Sequence, residues 1–152
     1  MAAIIRPFNR NSKADIQLLE SICKESGSKA VAKERTYIRR VIWETQNHPD
    51  DLWCEIYNDC AFWMAVKRKN YVRSVFTVVR ADKHKQGIGD LLHRRRLRRC
   101  IEAGCNVLKM RTSQNERAID YWVKKQNAVV VGLNGNDFEL EFHLTIPNNH
   151  EQ

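Results

Sequence analysis

Little in this sequence breaks or staples a chain. Only three prolines occur in 152 residues, and there is no internal repeat or low-complexity run, which excludes a proline-rich linker and argues against disorder. No apolar run is long enough to span a bilayer. The opening Met1-Ala2-Ala3-Ile4-Ile5-Arg6 lacks the apolar segment and small-residue cleavage site of an export signal, so a cytoplasmic protein without membrane contact is expected. The five cysteines, Cys23, Cys54, Cys60, Cys100 and Cys105, are odd in number and include no close pair at metal-ligand spacing. Neither a disulfide framework nor a metal site is expected, and the apolar neighbourhoods suit buried thiols in a reducing compartment.

What is present suits one domain over residues 1–152. Hydrophobic residues make up 43% of the chain, enough for a core without staples. The net charge is +8, and its placement is informative: between Arg80 and Arg111 ten Lys or Arg residues face three acids, Asp82, Asp90 and Glu102. An anionic neighbour is expected there, with a solvated basic face as the alternative.

Patterning predicts a short strand at Ile4 and Ile5, ending near Pro7, then a helix over about 12–25 that opens on a capping box of Ser12 and Asp15. A second helix over about 30–45 carries an apolar stripe of Val31, Tyr37, Ile38, Val41 and Ile42. The period then changes. Leu52 to Tyr57, Ala61 to Lys67 and Tyr71 to Val79 read as three strands of an antiparallel meander, the last with both faces covered. A helix over 90–103, with Leu91, Leu92, Leu97 and Ile101 inward, ends at Gly104. A strand from Val107 to Met110 and a helix capped by Ser113 and Glu116 follow. A hairpin of Ala128 to Leu133 and Phe138 to Ile146 closes the chain around Asn134-Gly135-Asn136-Asp137. The result is an α/β fold, a mixed and mainly antiparallel sheet with helices on both faces.

The junction Gln86-Gly87-Ile88-Gly89 lies between a buried strand and an arginine-rich helix. Amides exposed at a helix start can cradle phosphate without charged side chains, and glycines allow close approach. A plain helix-start turn is the competing reading. The third glycine of a dinucleotide fingerprint and the Gly-Lys-Ser/Thr ending of a P-loop are both missing.

The segment Val79-Arg80-Ala81-Asp82-Lys83-His84-Lys85-Gln86-Gly87-Ile88-Gly89-Asp90-Leu91-Leu92 resembles the acyl-CoA-binding motif of the GCN5-related N-acetyltransferase (GNAT) family. Asn115-Glu116-Arg117-Ala118-Ile119-Asp120-Tyr121-Trp122-Val123-Lys124-Lys125 resembles that family's later cofactor-side helix. The resemblance implies an acyl-CoA N-acyltransferase-like fold, acetyl-CoA or another acyl-CoA as cofactor, and an amine-bearing acceptor. It implies pantetheine contacts from the backbone near Val79, a pyrophosphate held by amides from Lys85 through Gln86, Gly87, Ile88 and Gly89 to Asp90, Asn115 facing the arm, and the thioester near Tyr121 or Trp122. His84 stands where the family usually has arginine or glutamine, and is expected to orient or bind cofactor. Trp122 stands where a tyrosine usually serves as acid, and Gln126-Asn127 replaces the usual Gly-Phe ending.

Tyr121 is the candidate acid, with packing as the alternative. Glu55, a carboxylate in an otherwise apolar strand, is the candidate base, with a solvent-facing edge position as the alternative. The helix carrying Arg94 to Arg99 offers a surface for an acidic protein or nucleic acid, although helical spacing spreads those arginines around the circumference. A nucleic-acid binder would use this helix and stack bases on Trp43, Trp53, Trp63 or Tyr71. A cofactor-bound regulator with little turnover is a further alternative. Exposed strand edges and the terminal hairpin allow a homodimer.

Overall fold

The computed structural model of the chain describes residues 3–113 and 116–144, apart from the side chains of Ser113 and Glu116. Two compact units emerge, Met1–Lys67 with Val75–Arg96, and Arg68–Ser74 with Leu97–Gln152. No helix among the described residues is long and apolar enough to cross a membrane. The described cysteines are free thiols, and no described cluster of His, Cys, Asp or Glu could hold a metal ion.

In the first unit, β1 (Ile5–Pro7), β2 (Leu52–Tyr57) and β3 (Ala61–Lys67) pair antiparallel in that order, and β4 (Val72–Val79) follows β3. Every residue of β3 from Ala61 to Val66 is buried. The doubly covered strand is therefore β3, where β4 was expected; in β4 only Val72, Phe76 and Val78 are buried. Two-residue spacing between Phe76 and Val78 turns them to one face. They join Leu19 and Ile22 of α1 (Lys13–Lys24) and Ile38 and Val41 of α3 (Tyr37–Glu44) in one core cluster.

Helix α1 starts as its sequence dictates, with Ser12 Oγ accepting from the Asp15 amide at 3.1 Å. Asp15 does not complete the capping box. Its carboxylate turns away to accept from the Asn9 amide at 2.9 Å and from Arg6, whose guanidinium holds the carboxyl below its usual range against the opposing effect of burial. The second expected helix is two, α2 (Lys29–Glu34) and α3. At the interruption the Ala32 carbonyl, which a continuous helix would offer to the Thr36 amide, accepts Nη1 of Arg35. Beyond the break Tyr37 leaves the apolar stripe and is 40% exposed, under the Arg40 guanidinium.

In the second unit, the first residues of β4 pair in parallel with β5 (Val107–Ser113) at Val72 with Leu108 and Arg73 with Lys109. Antiparallel pairing continues from β5 to β7 (Asp137–His143) and from β7 to β6 (Val129–Asn134), giving the order β4-β5-β7-β6. Seven strands with one parallel pairing among those described match the mixed, mainly antiparallel sheet expected. The final strand ends at His143, after which the Leu144 amide donates to Asn106 O at 2.8 Å. Its expected continuation through residues 145 and 146, and the capping pair expected of the Ser113 and Glu116 side chains, lie outside the described set.

Helix α4 (Ile88–Glu102) begins two residues before its expected start and ends in a Schellman motif. The Cys105 amide donates to Cys100 O at 2.9 Å and the Gly104 amide to Ile101 O at 3.0 Å, with Gly104 at φ +74°. A Cβ at Gly104 would meet nothing within 4 Å, so the cost of a side chain there is backbone strain alone. Gly104→Ala should lower stability by about 1 kcal/mol in urea unfolding, with Gly104→Asn less damaging because asparagine tolerates the left-handed region.

Candidate functional site

The chain leaves β4 at Val79 and is fixed at once. The Arg80 amide donates to Cys60 O at 2.9 Å, the Ala81 amide donates to Glu25 O at 2.8 Å, and Arg80 Nε lies 2.9 Å from Glu25 Oε2. A 3₁₀ turn at Ala81–Lys83 follows. His84 then reaches back, its Nε2 lying 2.9 Å from Val79 O. Lys85 and Gly87 adopt left-handed conformations at φ +64° and +76°, after which Ile88 is buried and α4 begins. Residues 81–87 are all exposed.

Between the buried Ile88 side chain and the His84 contact the backbone stands open. The amides of Lys85, Gln86, Gly87, Ile88 and Gly89 have no acceptor among the described residues. A Cβ built at Gly89 would meet nothing within 4 Å, so protein packing does not require glycine there. Several donors at a helix N-terminus, with room above them, fit an anion carrying several oxygens.

Downstream, the arginines of α4 divide. Arg95 reaches β2, where Nε and Nη2 donate to the two Glu55 oxygens at 2.8 and 2.6 Å. Trp63, opposite Glu55 in the β2–β3 ladder and 2% exposed, donates its indole Nε1–H to Glu55 at 3.0 Å. A buried indole needs such a partner, which accounts for a glutamate in an apolar strand. Glu55, the expected base, thus has both oxygens engaged, on a strand flanked by β1 and β3 and not at the sheet edge. A carboxylate in a bidentate guanidinium pair is a poor proton acceptor.

Arg96 is fully buried, donating to Thr77 Oγ1 on β4 and to Nδ1 of the equally buried His93. Burial foremost, with the Arg96 charge adding to it, pushes His93 down to about 3. Neither residue belongs to the inward face expected, Leu91, Leu92, Leu97 and Ile101; the buried residues of α4 are Ile88, Leu92, His93, Arg96 and Cys100. Leu92, Arg96 and Cys100 recur at i+4, so helical period alone could have placed Arg96 inside. Arg95 and Arg96 are thereby removed from the basic docking surface expected of this helix, while Arg94, Arg98 and Arg99 are exposed. Of the proposed stacking residues Trp53 and Trp63 are buried, and Lys109 Nζ sits 4.3 Å above the Tyr71 ring.

In the second unit, Tyr121 and Trp122 lie on a π-helical segment, Asp120–Lys125, that extends α5 (Glu116–Ile119). The Gln126 amide donates to Tyr121 O at 3.2 Å, the i+5 bond of that winding, and Asn127 takes the left-handed turn at φ +62°. Tyr121 Oη accepts from Gln126 Nε2 at 3.3 Å. The Trp122 ring packs edgewise on Tyr121 and on the buried Phe142, at centroid distances of 4.7 and 5.9 Å. Asn115 lies outside the described residues.

No family model matches the sequence, and no curated protein matches it either. Solved structures do resemble it. The PaiA N-acetyltransferase of Thermoplasma acidophilum, crystallised with coenzyme A, superposes with TM-score 0.73 at 16% identity over 94% of this chain and 99% of that one. An acetyltransferase of Desulfovibrio desulfuricans assigned to the GNAT family gives 0.76 at 11% identity, covering 95% and 100%. The ribosomal-protein-S18-alanine N-acetyltransferase of Escherichia coli gives 0.71 at 11% identity, covering 97% of each chain. The fold is that of the GNAT acetyltransferases.

The buried histidine makes stability depend on pH in a calculable direction. Folded His93 stays neutral down to about 3, whereas the unfolded side chain takes up a proton near its ordinary value of 6.5. The unfolded state therefore binds more protons in this window, and His93's contribution, complete above 6.5, is lost progressively as pH falls toward 3. Urea unfolding between about pH 7 and about pH 5 should show stability falling by up to ~1.4 kcal/mol per pH unit. His93→Gln, which keeps an acceptor for Arg96 but does not titrate, should flatten that slope.

Proposed function

We propose that this chain of GNAT fold is an acyl-CoA-dependent N-acyltransferase that transfers acetyl from acetyl-CoA to an amine. The observation that carries the proposal is the open set of amides from Lys85 to Gly89, without acceptors among the described residues and with free space at Gly89. Those amides and that of Asp90 would hold the pyrophosphate, while the backbone near Val79 would hold the pantetheine arm. Bound acyl-CoA would supply an acyl group activated as a thioester.

Tyr121 is the residue proposed to carry a transferable proton, at an Oη oriented by the Gln126 amide. Glu55 braces α4 to β2 in this reading. Positioning of the two substrates supplies much of the rate, because a thiolate leaves readily. The acceptor is an amine of a protein, small molecule or nucleic acid. The coenzyme A bound by the Thermoplasma protein and the alanine acceptor in the name of the Escherichia coli protein support this chemistry by likeness of fold.

Gly89→Asp separates this reading from a plain helix-start turn. A carboxylate in the first turn of α4 favours the helix dipole and meets no neighbour, so folding stability should hold or rise slightly. Calorimetric titration with coenzyme A should show affinity falling by at least about tenfold, since a negative charge then faces the phosphates. Equal affinity in the variant, or no binding by the wild type at moderate ionic strength, would remove the cradle from the proposal.

Tyr121→Phe tests the proton donor. With acetyl-CoA and an amine that the wild type acetylates, kcat should drop about a hundredfold with little change in KM. Undiminished turnover would leave Tyr121 as a packing residue only.

A further inference from the structure

We infer that His84 is a positioning residue, a latch that ties the cradle loop to the end of β4 and keeps the Lys85–Gly89 amides pre-organised for a phosphorylated ligand. The inference rests on the acyl-CoA reading for the ligand's identity, but its geometry stands by itself. The loop is well held at its two ends. Arg80 and Ala81 are bonded to Cys60 and Glu25, and Ile88 is buried. Between these anchors, the Lys83 amide donates to Arg80 O at 2.9 Å and the His84 amide to Ala81 O at 3.3 Å, which closes the 3₁₀ turn.

Past that turn Lys85, Gln86 and Gly87 are exposed, and two of the three occupy the left-handed region. Local preference alone does not hold a lysine there. The His84 imidazole supplies a restraint at the base of this stretch by spanning five residues back to Val79 O at 2.9 Å. Since a carbonyl only accepts, the nitrogen facing it carries the proton, which fixes Nε2–H. This commitment directs Nε2 to the backbone and away from a phosphate. Neutral imidazole in that tautomer and imidazolium both carry Nε2–H, so the latch needs no change of protonation. Its effect is entropic: amides already held in place lose less freedom when an anion arrives.

Wild type, His84→Ala and His84→Gln are to be compared by calorimetry with coenzyme A and by ¹⁵N relaxation of the unliganded proteins. Glutamine can donate to the same carbonyl; alanine cannot. The latch predicts that His84→Ala lowers the order parameters of residues 85–89 and weakens coenzyme A binding about threefold to tenfold, the value of one exposed hydrogen bond. His84→Gln should recover most of both. Unchanged order parameters in His84→Ala would overturn the inference. So would an affinity loss beyond about a hundredfold with an equally rigid loop, which would mean direct contact between His84 and ligand. If the wild type does not bind coenzyme A, the cofactor reading fails, and the order parameters still decide the latch.

Discussion

A helix start can serve as an anion site only if the helix itself is held in place, and α4 is held by polar contacts as much as by apolar ones. Removing a guanidinium from water is costly unless its hydrogen bonds are replaced. Arg96 meets Thr77 and His93, and Arg95 takes both oxygens of Glu55. These contacts fix the helix against β2 and β4 with directional bonds, where a greasy face would permit sliding. The buried Ile88 side chain then sets where the first turn begins, and the placement of the open amides follows from that.

The electrostatics of the first unit serve the same arrangement. His93 remains neutral beside Arg96, so one buried charge is not made two. Glu55 balances Arg95 and at the same time satisfies the Trp63 indole. The run of arginines that gives the helix its basic appearance in sequence therefore has several tasks. Two members are structural, and the exposed ones leave positive potential on the surface for an anion to encounter.

Much of the fold was legible because its signals are local. Ser12 announces α1, runs of aromatic and branched residues parted by turns announce the meander, and Gly104 announces the end of α4. The turn that opens α4 was legible for the same reason, since Gly87, Ile88 and Gly89 each act through their own backbone or side chain. What escaped was set by partners distant in the chain. Glu55 looked like a candidate base because nothing in its strand discloses Arg95, forty positions later. The break between α2 and α3 carries an Arg35 side-chain bond to the Ala32 carbonyl that no propensity encodes. At Arg96 residue type, which favours exposure for arginine, opposes the helical period that places it inside. The π-helical winding at Asp120–Lys125 likewise leaves no distinct mark in the order of residues.

The loop before α4 presents main-chain amides, and every residue except proline owns one. At Lys85 and Gln86 the side chains can drift under mutation while the donors stay in place, provided the turn and the burial of Ile88 persist. Recognition of this kind stores little information in residue identity and much in backbone path. Such a loop is compatible with wide variation in residue identity, and solved structures of the same fold share 11–16% of their residues with this chain.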